Sequence, residues 1–106
     1  MPSIHFICHE NEHLHRVSAD GHWESGNWAI KADEAKQLVG GMIYLHKTKA
    51  KPSYFGGRIE GVRALVTTGN GPTLFVLRFK HLQEAREVRW KGVNYGRAWT
   101  SGVVAD

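Results

Sequence analysis

Only one stretch of this chain carries a helical repeat, and that limits what it can fold into. In residues 31–39, Ala32, Ala35, Leu38 and Val39 fall on one face, while Asp33, Glu34 and Lys36 fall on the other. The acidic pair lies in the first turn, where it complements the helix dipole. Gly40-Gly41 then ends the helix, because glycine accepts the left-handed conformation of a helix stop.

The other apolar segments are short and rich in β-branched and aromatic residues. Residues 4–8 and 42–46 read as strands, and residues 73–79, the most hydrophobic run, read as a central one. Residues 10–26 are polar and read as a loop with one short strand near 14–17, and residues 28–30 as the next strand or an extended lead into the helix. Residues 58–68 suit a long strand bent or bulged at Gly61, closed by the turn residues Gly69-Asn70-Gly71-Pro72. Residues 84–90 read as a strand or a short helix, and the alternation of Val88 and Trp90 with Glu87 and Arg89 favours a strand over 87–90. Tyr95 and Trp99 imply that the tail, 91–106, packs against the body. The expected class is α+β: a small, strand-rich, partly closed β-barrel, or an antiparallel sheet, with one early helix at about 32–39.

The chain of 106 residues fits a single domain, 1–106, and contains no internal repeat or low-complexity tract. Its apolar runs are too short to cross a bilayer and its first residues do not form a signal peptide, so no membrane association is expected. The lone cysteine, Cys8, excludes an intrachain disulfide and fits a reducing cytoplasm. The net charge of +4 falls in the second half: residues 1–53 hold six Lys/Arg and six Asp/Glu, and residues 54–106 hold eight and four. That bias permits contact with a polyanion without requiring it.

The most informative stretch is the basic, aromatic and glycine-rich segment that follows the strand at 42–46. His46 and Lys47 open it, Lys47, Lys49 and Lys51 alternate, and Ser53, Tyr54, Phe55, Gly56, Gly57 and Arg58 close it. Lysines and arginine suit phosphate, Tyr54 and Phe55 offer flat faces for a base, and Gly56-Gly57 would let the backbone approach a ligand. The same composition also fits a solvated basic hairpin whose aromatics fill the core. Of the four tryptophans, Trp28 and Trp90 fall in expected strands and read as core. Trp23 and Trp99 lie among glycine and polar residues, as a lid or pocket wall would.

His5, Cys8, His9, His13, His15 and His22 have the side chains zinc prefers, but their spacing matches no structural zinc pattern, and no metal or other cofactor is expected. Cys8 and His9 are adjacent, so on a strand they point to opposite faces and cannot pair directly. No Walker loop, dinucleotide fingerprint or nucleophile elbow is present.

The run Gly26-Asn27-Trp28-Ala29-Ile30, the helix, Gly40-Gly41, the strand at 42–46 and then residues 49–57 resembles the core of PUA-like domains, including their EVE and ASCH branches. The resemblance covers about residues 26–80 and rests on element order and the helix–glycine–strand signature. It implies a small barrel with a cleft for a base or nucleotide, bordered by Trp28 and the loop 47–58. Gly41 stands where those domains usually have an acidic residue, and the lysine–glutamate motif of catalytically competent ASCH proteins is not recognisable in residues 46–51. The resemblance therefore implies binding of nucleic acid or nucleotide without catalysis, through Trp28, His46, Lys47, Lys49, Lys51, Ser53, Tyr54 and Arg58. Two further readings stay open. One is a small hydrolase of nucleoside-like amides using His46 or Lys47. The other is an accessory protein of a bacterial mobile element that self-associates, for instance as a homodimer.

Overall fold

A computed structural model describes residues 2–8, 13–65, 73–91 and 100–105. In chain order these form β1 (Pro2–Ile7), β2 (Leu14–Arg16), β3 (His22–Trp28), α1 (Ala32–Leu38), β4 (Met42–His46), β5 (Phe55–Leu65), β6 (Leu74–His81), a short 3-10 turn (Gln83–Ala85) and β7 (Thr100–Ala105). All seven strands join one mixed sheet in the order β2-β3-β6-β5-β4-β1-β7. Only β1 and β4 run parallel. The α+β class and the single early helix thus agree with the sequence, and the sheet is open, with β2 and β7 at its edges. No helix among the described residues is long and apolar enough to cross a membrane.

The sheet is strongly curled. Phe6 of β1 stacks on Trp28 of β3 with ring centroids 4.0 Å apart and planes 10° from parallel, although three strands lie between them. In a flat sheet those strands would be about 19 Å apart, at roughly 4.8 Å per step. The concave face therefore folds around its own core: Ile4, Phe6, Ile43, Leu45, Ile59, Leu77 and Phe79 are all buried there, with Ala35 and Leu38 of α1 packed onto the same cluster. The helix end is fixed to the sheet by Gly40, in the left-handed region at φ +88°, whose N–H donates to the Ile59 carbonyl, and by the Ile59 N–H donating to Gly41.

The convex side of β1 and β4 is also covered. The alternate residues Ser3 and His5 of β1 are as buried as Ile4 and Phe6, with Tyr44 and Trp90 packed on the His5 ring. The β1–β7 register shifts at His5, and side chains replace the missing ladder bonds. The His5 N–H donates to Ser101 Oγ at 2.9 Å, and Thr100 Oγ1 donates to the His5 carbonyl at 3.0 Å.

Three sequence expectations are corrected. Residues 87–90 are not a strand. Glu87 takes a left-handed φ of +66°, and the chain leaves the sheet to bond Ser53 and lay Trp90 over His5 and His46. Residues 22–28, read mostly as loop, form β3, whose outward His22 and Glu24 and small inward Ser25 hide the strand pattern. β5 begins at Phe55, so Gly56 and Gly57 lie within a strand, with its register shift at Gly61 as expected. The turn at 69–72 and Tyr95 and Trp99 lie outside the described residues.

A Cβ on Gly57 would run into the Lys80 carbonyl of the neighbouring strand, whereas one on Gly61 meets nothing within 4 Å. Gly57→Ala should therefore cost about 1–3 kcal/mol or more, as overpacking does. Gly61→Ala should be neutral or stabilising by up to about 0.5 kcal/mol. Urea denaturation of the two variants checks this; equal midpoints would contradict the packing described.

Candidate functional site

Tyr54 and Phe55 stand where the loop after β4 re-enters the sheet, at the end away from the helix stop. There the concave face opens into a cavity of about 280 Å³ lined by Leu14, Trp23, Tyr54, Phe55 and Arg86. Strand alternation explains the lining. Trp23 lies opposite Phe79, and Phe55 opposite Leu45, so both rings point to the concave face. Trp23 meets Phe55 edge-on with centroids 4.9 Å apart, and His81 stacks on Phe55 at 4.2 Å, its Nδ1 2.8 Å from the Gly56 carbonyl. The Arg86 guanidinium lies 5.6 Å from the Phe55 centroid, within cation–π range. Tyr54 donates its hydroxyl to the Cys8 carbonyl at 3.1 Å. Burial, reinforced by that hydrogen bond, pushes the phenol pKa well above its ordinary value, so Tyr54 stays protonated.

Ser53 holds this wall together. Its N–H donates to the Val88 carbonyl and its carbonyl accepts from the Glu87 N–H, both at 2.8 Å. Its hydroxyl donates to the Ala85 carbonyl at 2.6 Å and accepts from the Val88 N–H at 2.9 Å. Four hydrogen bonds at one buried residue thus fix the segment that carries Arg86 beside the loop that carries Tyr54 and Phe55. Ser53 belongs to the site as a positioning residue and is not exposed to a ligand.

The other residues expected from sequence separate into groups. Lys47 Nζ lies 6.0 Å from the Tyr54 centroid and Lys49 Nζ 5.5 Å from the Trp90 centroid, so these two lysines rim the aromatic loop. Lys51 is exposed, and its carbonyl lies 2.9 Å from His46 Nδ1. Arg58 is exposed on the convex face opposite Met42 and Lys80. Trp28 lies toward the other end of β3, stacked on Phe6 with its indole N–H donating to Ser25 Oγ at 3.0 Å. Gly56 and Gly57 provide close strand contact with the Ile43 and Lys80 carbonyls instead of a ligand approach. Sequence reasoning marked Tyr54, Phe55 and Trp23 but missed Leu14 and Arg86. Arg86 meets Phe55 across 31 positions of chain and shows no local signal.

His46 is fully buried. Its Nε2 lies 2.7 Å from His5 Nδ1, and the two rings pack with Tyr44 and Trp90. With Nδ1–H donating to Lys51, Nε2 is left to accept from His5, which assigns both tautomers as neutral donors at Nδ1. Both His46 nitrogens are thereby used inside the protein, so the ring is not presented as an acid or base to a bound molecule. Among the described residues, no three His, Cys, Asp or Glu side chains converge as a metal site.

Comparison with protein-family models, with curated proteins and with solved structures gives no match. The site therefore stands on its own geometry.

Burial lowers the His46 pKa below 6.5, and its hydrogen bond to Lys51 offsets this in part. The unfolded state then binds the proton first, so stability is complete above pH 6.5 and falls as the pH drops toward the folded pKa. The slope is at most about 1.4 kcal/mol per pH unit for one proton. Thermal melts from pH 7.5 to 5 should show this loss and His46→Gln should blunt it; an acid dependence unchanged in His46→Gln would contradict it. Ser53→Ala, which takes the side-chain partner from the Ala85 carbonyl and the Val88 N–H, should cost about 1–3 kcal/mol in the same melts.

Proposed function

We propose that this chain is a binding module of the PUA-like kind that holds a single base of a nucleic acid or nucleotide in the cavity at the mouth of its curled sheet. The observation that carries the proposal is the lining: three aromatic rings and one arginine around about 280 Å³. That is the small end of the range for ligand sites, enough for one ring system and too little for a dinucleotide. Aromatic faces hold bases whatever their sequence, at about 1–3 kcal/mol per base. Lys47 lies over the Tyr54 ring and Lys49, two residues on, over Trp90, so this loop would offer positive charge to a phosphate attached to the base. The pronounced curl of the sheet and the single helix set before β4 support a partly closed, PUA-like barrel.

Binding without turnover is the form of the proposal, because His46 is committed inside the protein. Of the residues first expected, Tyr54, Lys47 and Lys49 would touch the ligand and Ser53 would position the site. Trp23, Phe55 and Arg86 would join them.

Titration with short single-stranded DNA and RNA, followed by tryptophan fluorescence at two salt concentrations, tests the reading. Saturable binding should survive near-physiological salt. Trp23→Leu and Phe55→Leu should each weaken it by about 1–3 kcal/mol at both concentrations. Lys47→Ala and Lys49→Ala should instead flatten the salt dependence, by about 0.7 in log–log slope for each phosphate no longer neutralised. Variants that all bind like the parent, or no saturable binding at all, would contradict the proposal.

A further inference from the structure

The polar groups of the cavity wall are almost all of one kind. Arg86 offers five N–H donors and no acceptor, and Trp23 offers a single indole donor. Tyr54 has already given its proton to the Cys8 carbonyl, so its oxygen can only accept. Among the described residues, no carboxylate or carboxamide side chain lines the cavity. Arg86 is exposed, and among the described residues it forms no ion pair, which leaves its donors available.

Its position is nonetheless defined. The flanking groups are the Ala85 carbonyl, the Glu87 N–H and the Val88 N–H, and all are bound to Ser53. The Arg86 N–H itself donates to the Gln83 carbonyl at 3.1 Å. A guanidinium carried on a tethered backbone and lying over Phe55 is pre-oriented at low entropic cost.

From this arrangement we infer that the cavity selects guanine, through paired hydrogen bonds from Arg86 to O6 and N7. The inference rests on the base-binding reading above. Guanine presents those two acceptors side by side, and they match the fork of an arginine. Adenine and cytosine place an exocyclic amine at that edge, where a donor would face a donor. A methylated ammonium group, the usual guest of an aromatic cage, meets repulsion instead, because Arg86 already supplies a cation over the Phe55 face and, among the described residues, no lining carboxylate offsets it.

Calorimetric titration of the full chain with GMP, AMP, UMP and CMP tests the selection. A second pair of ligands, the single strands AAGAA and AAAAA, separates a base within a nucleic acid from a free nucleotide. GMP should bind at least about fivefold more tightly than AMP, the lower end of what one bidentate arginine contact discriminates. A nucleic-acid source predicts the same preference for AAGAA over AAAAA, with both binding more tightly than the mononucleotides. A free-nucleotide source confines the preference to GMP. Arg86→Ala should bring the GMP/AMP ratio to near one while keeping weak binding of all four nucleotides. Arg86→Lys, which keeps the charge without the fork, should recover less than half of the preference. Equal affinity of the parent for all four nucleotides, with Phe55→Leu still weakening them, would overturn guanine selection and leave base binding intact. No binding of any nucleotide or oligonucleotide would overturn both.

Discussion

The contact between Phe6 and Trp28 shows the constraint on which the rest of the molecule depends. Two rings separated by three intervening strands can stack at 4.0 Å only if the sheet bends round on itself. A chain of 106 residues has little surface to bury, and a flat seven-stranded sheet with a single short helix would leave most of one face wet. Curling solves this by making the sheet its own lid. The same curl brings Phe55 of β5 to Trp23 and Leu14 of the paired strands β3 and β2, so the cavity is a consequence of how the core is closed.

The loop after β4 does two different jobs with neighbouring residues. Its inward groups are structural: the Lys51 carbonyl orients His46, and Ser53 fastens the segment 85–88. Its outward groups are Lys47, exposed over the ring of Tyr54 at the cavity, and Lys49, which reaches over Trp90. A polar residue in a basic loop is therefore a poor guide to ligand contact unless its hydrogen bonds are known. Buried His46 makes the same point, since both of its ring nitrogens are taken up by hydrogen bonds inside the protein.

Much of the fold was legible because it depends on local chemistry. The helix from Ala32 to Leu38, its glycine stop, the strand from Met42 to His46 and the bulge at Gly61 all follow from periodicity and from glycine. What was hidden depends on distant contacts. β3 does not look like a strand, because the small Ser25 stands between its two inward tryptophans and the register shifts between Ser25 and Trp28. Residues 87–90 look like one, because nothing nearby reveals that Ser53 will capture their backbone. For the site, the aromatic pair Tyr54-Phe55 and the exposed setting of Trp23 were visible. Arg86 was not, because it reaches the cavity only through a turn that packs on the sheet.

The most direct test of this account asks which tryptophan senses a base. Indole N–H signals of the four tryptophans, assigned by nuclear magnetic resonance and followed during titration with a guanine-containing single strand, separate the cavity from every other aromatic surface. The account predicts that the Trp23 signal shifts saturably, while that of Trp28, stacked on Phe6 and bonded to Ser25, stays in place. A saturable shift at Trp28 with Trp23 unmoved would contradict it.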